Sequence, residues 1–146
     1  METLLLEHNI ISLRTAVVLD DGDLVYFMLM PKWLDPTVPG VADYGKSDAT
    51  WLYRRKRSFT REVKLMRSFS PVERDVRPIV LKRPPELKLL WTEDGENAAL
   101  FLNLVPWAFI HRDRRHGYSK GILRPSIGNP WDQKLFEQTF NRDQLK

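Results

Sequence analysis

Leu87-Lys88-Leu89-Leu90-Trp91-Thr92, Glu93-Asp94-Gly95-Glu96, Ala98-Ala99-Leu100-Phe101-Leu102, Asn103-Leu104-Val105-Pro106 and Trp107-Ala108-Phe109-Ile110 together decide the fold. Alternation places Leu87, Leu89 and Trp91 on one face of an extended segment, because successive side chains of a strand point to opposite sides. Asp94-Gly95 between apolar runs is a hairpin signal, since tight turns need residues that accept positive φ. The return run 98–102 meets a second turn at 103–106 and continues as 107–110. The reading is a three-stranded antiparallel meander.

An earlier stretch repeats the arrangement. Leu13-Arg14-Thr15-Ala16-Val17-Val18-Leu19 enters Asp20-Asp21-Gly22-Asp23 and leaves through Leu24-Val25-Tyr26-Phe27-Met28-Leu29-Met30. The Asp-Gly pair predicts a type I′ hairpin. The second arm is apolar at every position, which predicts a central strand covered on both faces, and Pro31 ends it because proline has no N–H for the ladder. The two hairpins share too little for an internal repeat.

Asp35 to Ser47, with Pro36, Pro39, Gly40 and Gly45, reads as an irregular loop. Thr50-Trp51-Leu52-Tyr53 reads as a short strand. Phe59 to Met66 fits a helix or a strand equally, since eight residues do not fix a period. Pro71, Pro78, Pro84 and Pro85 exclude a long helix before Leu87. At the end, Asn129-Pro130-Trp131-Asp132 predicts a helix start, with Asn129 as N-cap and Pro130 at the first helical position. Trp131, Leu135 and Thr139 then share one side, with Phe136 and Phe140 beside them. The expected class is α+β: an antiparallel sheet of hairpins and meander with a C-terminal helix packed on it, in one domain spanning 1–146.

Composition narrows the function. The chain has 146 residues, 42% of them hydrophobic, five tryptophans and no cysteine. Absence of cysteine removes disulfide frameworks, thiol catalysis and cysteine-built zinc sites, and it accords with a reducing compartment. Mean hydropathy is −0.40; no apolar run approaches the ~20 residues of a membrane span, and the first residues lack a signal-peptide pattern. A cytoplasmic protein without membrane contact is expected. His8, His111 and His116 are the only histidines, and no zinc-protease, EF-hand, phosphate-loop, dinucleotide or nucleophile-elbow pattern is present. No metal, cofactor or enzymatic activity is expected.

The net charge of +4 hides a polarity. Residues 1–53 carry 3 Lys/Arg against 8 Asp/Glu; residues 54–88 carry 12 against 4. Arg54-Arg55-Lys56-Arg57, continued by Arg61, Lys64 and Arg67, is an electrostatic footprint for an anionic partner, nucleic acid or acidic protein; the plainer reading is a solvated face. In the acidic block, Asp20, Asp21 and Asp23 stand near Trp33 and Tyr44, residue types favoured at protein interfaces. The Asp20–Asp23 cluster also has the donors to hold a cation, although a turn already explains it. Trp51, Trp91, Trp107 and Trp131 read as core or rim. The segment richest in chemical groups is His111-Arg112-Asp113-Arg114-Arg115-His116-Gly117-Tyr118. His111, Arg112, Arg114, His116 and Tyr118 offer acid, base and phosphate clamp for a metal-independent nuclease, but a five-residue spacing places the histidines on one side of neither helix nor strand. A polar exposed loop is the preferred reading.

Several stretches carry a resemblance: Leu19-Asp20-Asp21-Gly22-Asp23-Leu24-Val25-Tyr26-Phe27; Leu90-Trp91-Thr92-Glu93-Asp94-Gly95 with Ala98 to Asn103 and Pro106-Trp107-Ala108-Phe109; and Arg115-His116-Gly117-Tyr118-Ser119 followed by Pro130-Trp131-Asp132. In these the chain resembles small bacterial proteins grouped as a domain of unknown function. It departs from them at Asn103-Leu104-Val105, where a glycine is expected. Proteins of this size and style resemble the immunity proteins of bacterial toxin systems and contact-dependent growth inhibition. That resemblance implies an antitoxin-like binding protein whose partner is a cognate protein toxin, a nuclease among the candidates. The acidic block would dock onto a basic toxin, and Arg54, Arg55, Arg57 and Arg61 onto an acidic one. Nucleic-acid binding through 54–67 is the alternative, and a small hydrolase ranks third. Oligomeric state is open.

Overall fold

The computed structural model describes residues 1–31, 48–55, 74–114, 116–125 and 127–140. Trp33, Tyr44, Arg57, Arg61 and the 59–66 segment lie outside the described residues. The first sheet comprises β1 (Glu2–His8), β2 (Thr15–Asp20), β3 (Leu24–Leu29), β4 (Asp48–Arg55) and β5 (Pro78–Ile79), in that spatial order. The second comprises β6 (Leu87–Trp91), β7 (Ala98–Leu102), β8 (Val105–Ile110), β9 (Tyr118–Ser119) and β10 (Asn129–Pro130), and α1 (Gln133–Thr139) follows. Each sheet is antiparallel except at its last pair, β4–β5 and β9–β10, which run parallel. The class is α+β, and the meander 87–110 stands as read, in a register pairing Trp91 with Ala98 and Leu102 with Val105.

The inner faces of the two sheets share one core. Ala16, Val18, Val25, Phe27, Leu29, Leu52 and Tyr53 from the first meet Ala98, Leu100, Leu102, Ala108 and Ile110 from the second, with Leu87, Leu89 and Trp91 packed against them. The outer face of the second sheet makes a smaller cluster: Ala99 and Phe109 lie under Phe136 and Phe140 of the helical segment, with Leu135 and Trp131 beside them. Phe109 is its centre, stacked on Tyr118 at 4.8 Å and meeting Trp131 edge-on at 5.3 Å. The four described tryptophans are half-buried, at the rim. β3 is central in its sheet as expected, but Tyr26 and Met28 on its outer side are only half-covered.

Four local expectations need correction. The 20–23 turn is not type I′: only Gly22 (φ 100°) has positive φ, and Asp21 Oδ1 instead accepts from Asp23 and Leu24 N–H at 2.8 and 2.7 Å. The type I′ turn is at Asn103-Leu104 (φ 50° and 68°), so Val105 and Pro106 already belong to β8. The arm expected from Leu13 begins at Thr15, because Leu13 (φ 64°) closes the loop after β1. Finally, Asn129 is not the helix cap. Its N–H donates to Gly117 O at 3.4 Å as part of β10, and Asp132 caps α1 by accepting from Leu135 N–H at 3.0 Å. A carboxylate three residues nearer the helix does the capping.

The sheets are pinned together along β4. Trp107 Nε1 donates to Leu52 O at 2.7 Å. Gly121 lies so close to the same carbonyl that a Cβ there would stand 1.8 Å from it. A bridge between Val76 and Ile122, with Arg77 N–H donating to Gly121 O at 2.7 Å, ties the approach to β5 to the turn after β9. Alternating strand directions then send the connections to two opposite ends. One end holds loops 9–14, 92–97 and 111–117; the other holds 21–23, 81–86 and 103–104.

Candidate functional site

The end carrying loops 9–14, 92–97 and 111–117 is built around Asn9. Its Oδ1 accepts from Ile11 and Ser12 N–H at 2.9 and 3.0 Å, and its carbonyl accepts from Leu13 N–H at 2.8 Å. Those bonds turn the chain sharply and push Ile10 and Ile11 outward, 84% and 69% exposed, with Leu13 at 38% beside them. Gly95 (φ 69°) packs directly on the Asn9 side chain, where a Cβ would come within 2.3 Å, so the two loops lock. Arg14 completes the frame from below. Its buried guanidinium donates to Met30 O at 3.1 Å and lies 3.4 Å from Asp48 Oδ2 and 4.0 Å from Glu96 Oε2.

The 111–118 segment joins this end through Asn97. Arg112 N–H donates to Asn97 Oδ1 at 2.9 Å, while the Arg112 guanidinium sits 3.7 Å from Asp94 and 3.4 Å from Asp113. The Asp94 carboxyl is held below its ordinary range, first by the Glu96 N–H and then by the Thr92 hydroxyl. His111 Nδ1 accepts from Asp113 N–H at 3.0 Å, which places its own proton on Nε2. Burial lowers the His111 pKa, Arg114 and Arg112 lower it further, and Asp113 opposes them. His116 is exposed, takes φ 72° and accepts through its carbonyl from Asn129 Nδ2 at 3.4 Å. Tyr118 is turned into the helix-side cluster. These residues shape a loop, in which the two histidines engage different partners, Asp113 and Asn129.

Asp20, Asp21, Asp23, Arg54 and Arg55 gather at the opposite end. Asp20 is 4% exposed, accepts from Gly22 N–H at 2.8 Å and forms an ion pair with Arg55. Arg55 N–H donates to Asp23 O at 2.8 Å. The Asp20 carboxylate raises the Arg55 pKa, and burial raises that of Tyr53 close by. Acidic and basic sequence blocks thus meet in space at this turn, and the carboxylates of Asp20 and Asp21 are used within the fold. Among the described residues, no three of His, Cys, Asp and Glu are grouped to hold a metal ion, and no helix is long and apolar enough to cross a membrane.

No family model, curated protein or solved structure matches the chain. The site therefore stands on its own geometry. Its most exposed apolar residues, Ile10 and Ile11, carry no motif. The sequence signal for them is slight: two isoleucines set between the turn-formers Asn9 and Ser12.

Proposed function

We propose that this chain is a binding protein of the immunity type, which neutralises a cognate bacterial toxin by protein–protein contact rather than by chemistry of its own. The observation that carries the reading is the Ile10-Ile11 tip. Two large aliphatic side chains stand in solvent on a loop held by Asn9, Gly95 and Arg14. Burying each in a partner contributes roughly 1.5–3 kcal/mol, and a loop already fixed in shape loses little entropy on docking. Charged groups at Glu93, Asp94, Arg112 and Arg114 lie on loops that share this end of the fold with the tip and suit electrostatic steering and selectivity. Apolar knobs with a charged rim are the anatomy of a protein interface, whereas nucleic acid asks for cations and stacking rings. Of the basic run offered for nucleic acid, Arg55 is engaged by Asp20.

Affinity purification with the product of the neighbouring gene, combined with a growth-protection assay against it, tests the proposal. Stable co-purification and protection are expected. Absence of a tight partner together with absence of protection would remove the reading.

A further inference from the structure

A depression of about 320 Å³ lies on the seam between the sheets, lined by Arg77, Trp107, Lys120, Ile122, Pro130 and Trp131. None of these residues belongs to loops 9–14, 92–97 or 111–117, so the depression is independent of how the apolar tip functions. Its walls are rigid. Trp107 is fixed through Leu52 O, the Lys120 N–H donates to Trp107 O at 2.9 Å, and Trp131 donates through Nε1 to Gln133 Oε1 at 2.9 Å. Trp131 also packs edge-on to Phe109. Arg77 is oriented by its Nε, which donates to Lys120 O at 3.1 Å, leaving the rest of the guanidinium toward solvent.

Lys120 is the anomaly. Lys120 is half-buried, its ammonium sits 4.7 Å from the centre of the Trp131 ring, and among the described residues no carboxylate lies within ion-pairing distance of it. Ammonium groups removed from water are normally paired, because desolvation without a counter-charge is costly. Burial lowers the Lys120 pKa. Arg77 adds a second cation at the same mouth, and among the described residues it too makes no ion pair. Two indoles, an isoleucine and a proline form the apolar remainder. Apolar walls with a few convergent polar groups, in a volume of roughly 300 Å³ or more, are what small-ligand sites share.

We infer that this pocket binds a small carboxylate carried on a flat apolar body, an aromatic carboxylate, with the anion between Lys120 and Arg77 and the ring against Trp107 and Trp131. A bare anion lacks the apolar half of the contact, and a neutral ring lacks the ionic half.

Titration of the whole chain with 2-naphthoate, 2-naphthamide and inorganic phosphate, followed by ¹H–¹⁵N spectra of the indole N–H groups, tests the assignment. Naphthoate is expected to shift the Trp107 and Trp131 signals, with the amide and phosphate each at least tenfold weaker. Lys120→Met keeps an unbranched chain over the ring and is expected to weaken naphthoate at least tenfold, as is Arg77→Gln on the exposed side. Equal affinity for the amide, equal affinity for phosphate, shifts confined to other tryptophans, or unchanged naphthoate binding in a folded Arg77→Gln would each overturn it.

Discussion

Leu104 occupies the second position of a type I′ turn at φ 68°, with its side chain 68% exposed. A branched residue in left-handed backbone is strained, while its neighbour Asn103 tolerates that region and also accepts from Glu86 N–H at 2.8 Å. Leu104→Gly restores the Asn-Gly pair that such turns favour. Relief of strain, offset by the greater freedom of glycine when unfolded, is expected to stabilise the protein by about 0.5–1 kcal/mol, read as a raised urea midpoint. A lowered midpoint would show that Leu104 contributes packing instead. At His111 the prediction is a pH dependence. Its pKa is lower folded than unfolded, so in that interval the unfolded chain binds more protons. The contribution to stability is complete above the unfolded value of roughly 6.5 and is lost as pH falls through the lower folded value. His111→Asn retains an acceptor for the Asp113 N–H and cannot titrate. Its stability between pH 7 and pH 5 should fall less steeply than that of the wild type; identical slopes would remove His111 as the cause.

Elements differ in how plainly the chain announces them. The meander was legible because Leu87, Leu89 and Trp91 alternate and turn residues bracket each run; β6, β7 and β8 follow that pattern. β1 was not legible, since Leu4-Leu5-Leu6 has no alternation and its register shifts between Thr3 and Leu5. The α1 cap is not decided by local sequence, because Asn129-Pro130 satisfies the rule for a helix start as well as Asp132 does. A tertiary contact decided otherwise, the Asn129 backbone pairing with Gly117. The junction of the two sheets was hidden for the same reason: nothing beside Gly121 in the sequence states that Leu52, almost seventy residues away, will lie against it. Gly121→Ala drives a methyl into that carbonyl and should destabilise by on the order of 3 kcal/mol, seen as a lower urea midpoint at unchanged slope. Wild-type stability in this variant would mean that the sheets do not meet there.

For the whole molecule, the sequence polarity of −5 against +8 proved to be only partly a surface property. Asp20 and Arg55, drawn from opposite blocks, neutralise each other inside one end of the sandwich. The candidate binding end is instead marked by Ile10 and Ile11, whose importance depends on loops 9–14, 92–97 and 111–117 converging. That convergence is set by strand order and not by any local motif, so charge and composition, which suggest a binding protein, do not single out these two isoleucines. The central claim is that this apolar tip seats in a protein partner. Calorimetric titration of the partner with an Ile10→Asp, Ile11→Asp double variant tests it most directly. Both positions are exposed, so stability should stay within about 0.5 kcal/mol of wild type. Affinity should fall at least about a hundredfold, from the loss of two buried isoleucines. Wild-type affinity in the folded double variant would contradict the account.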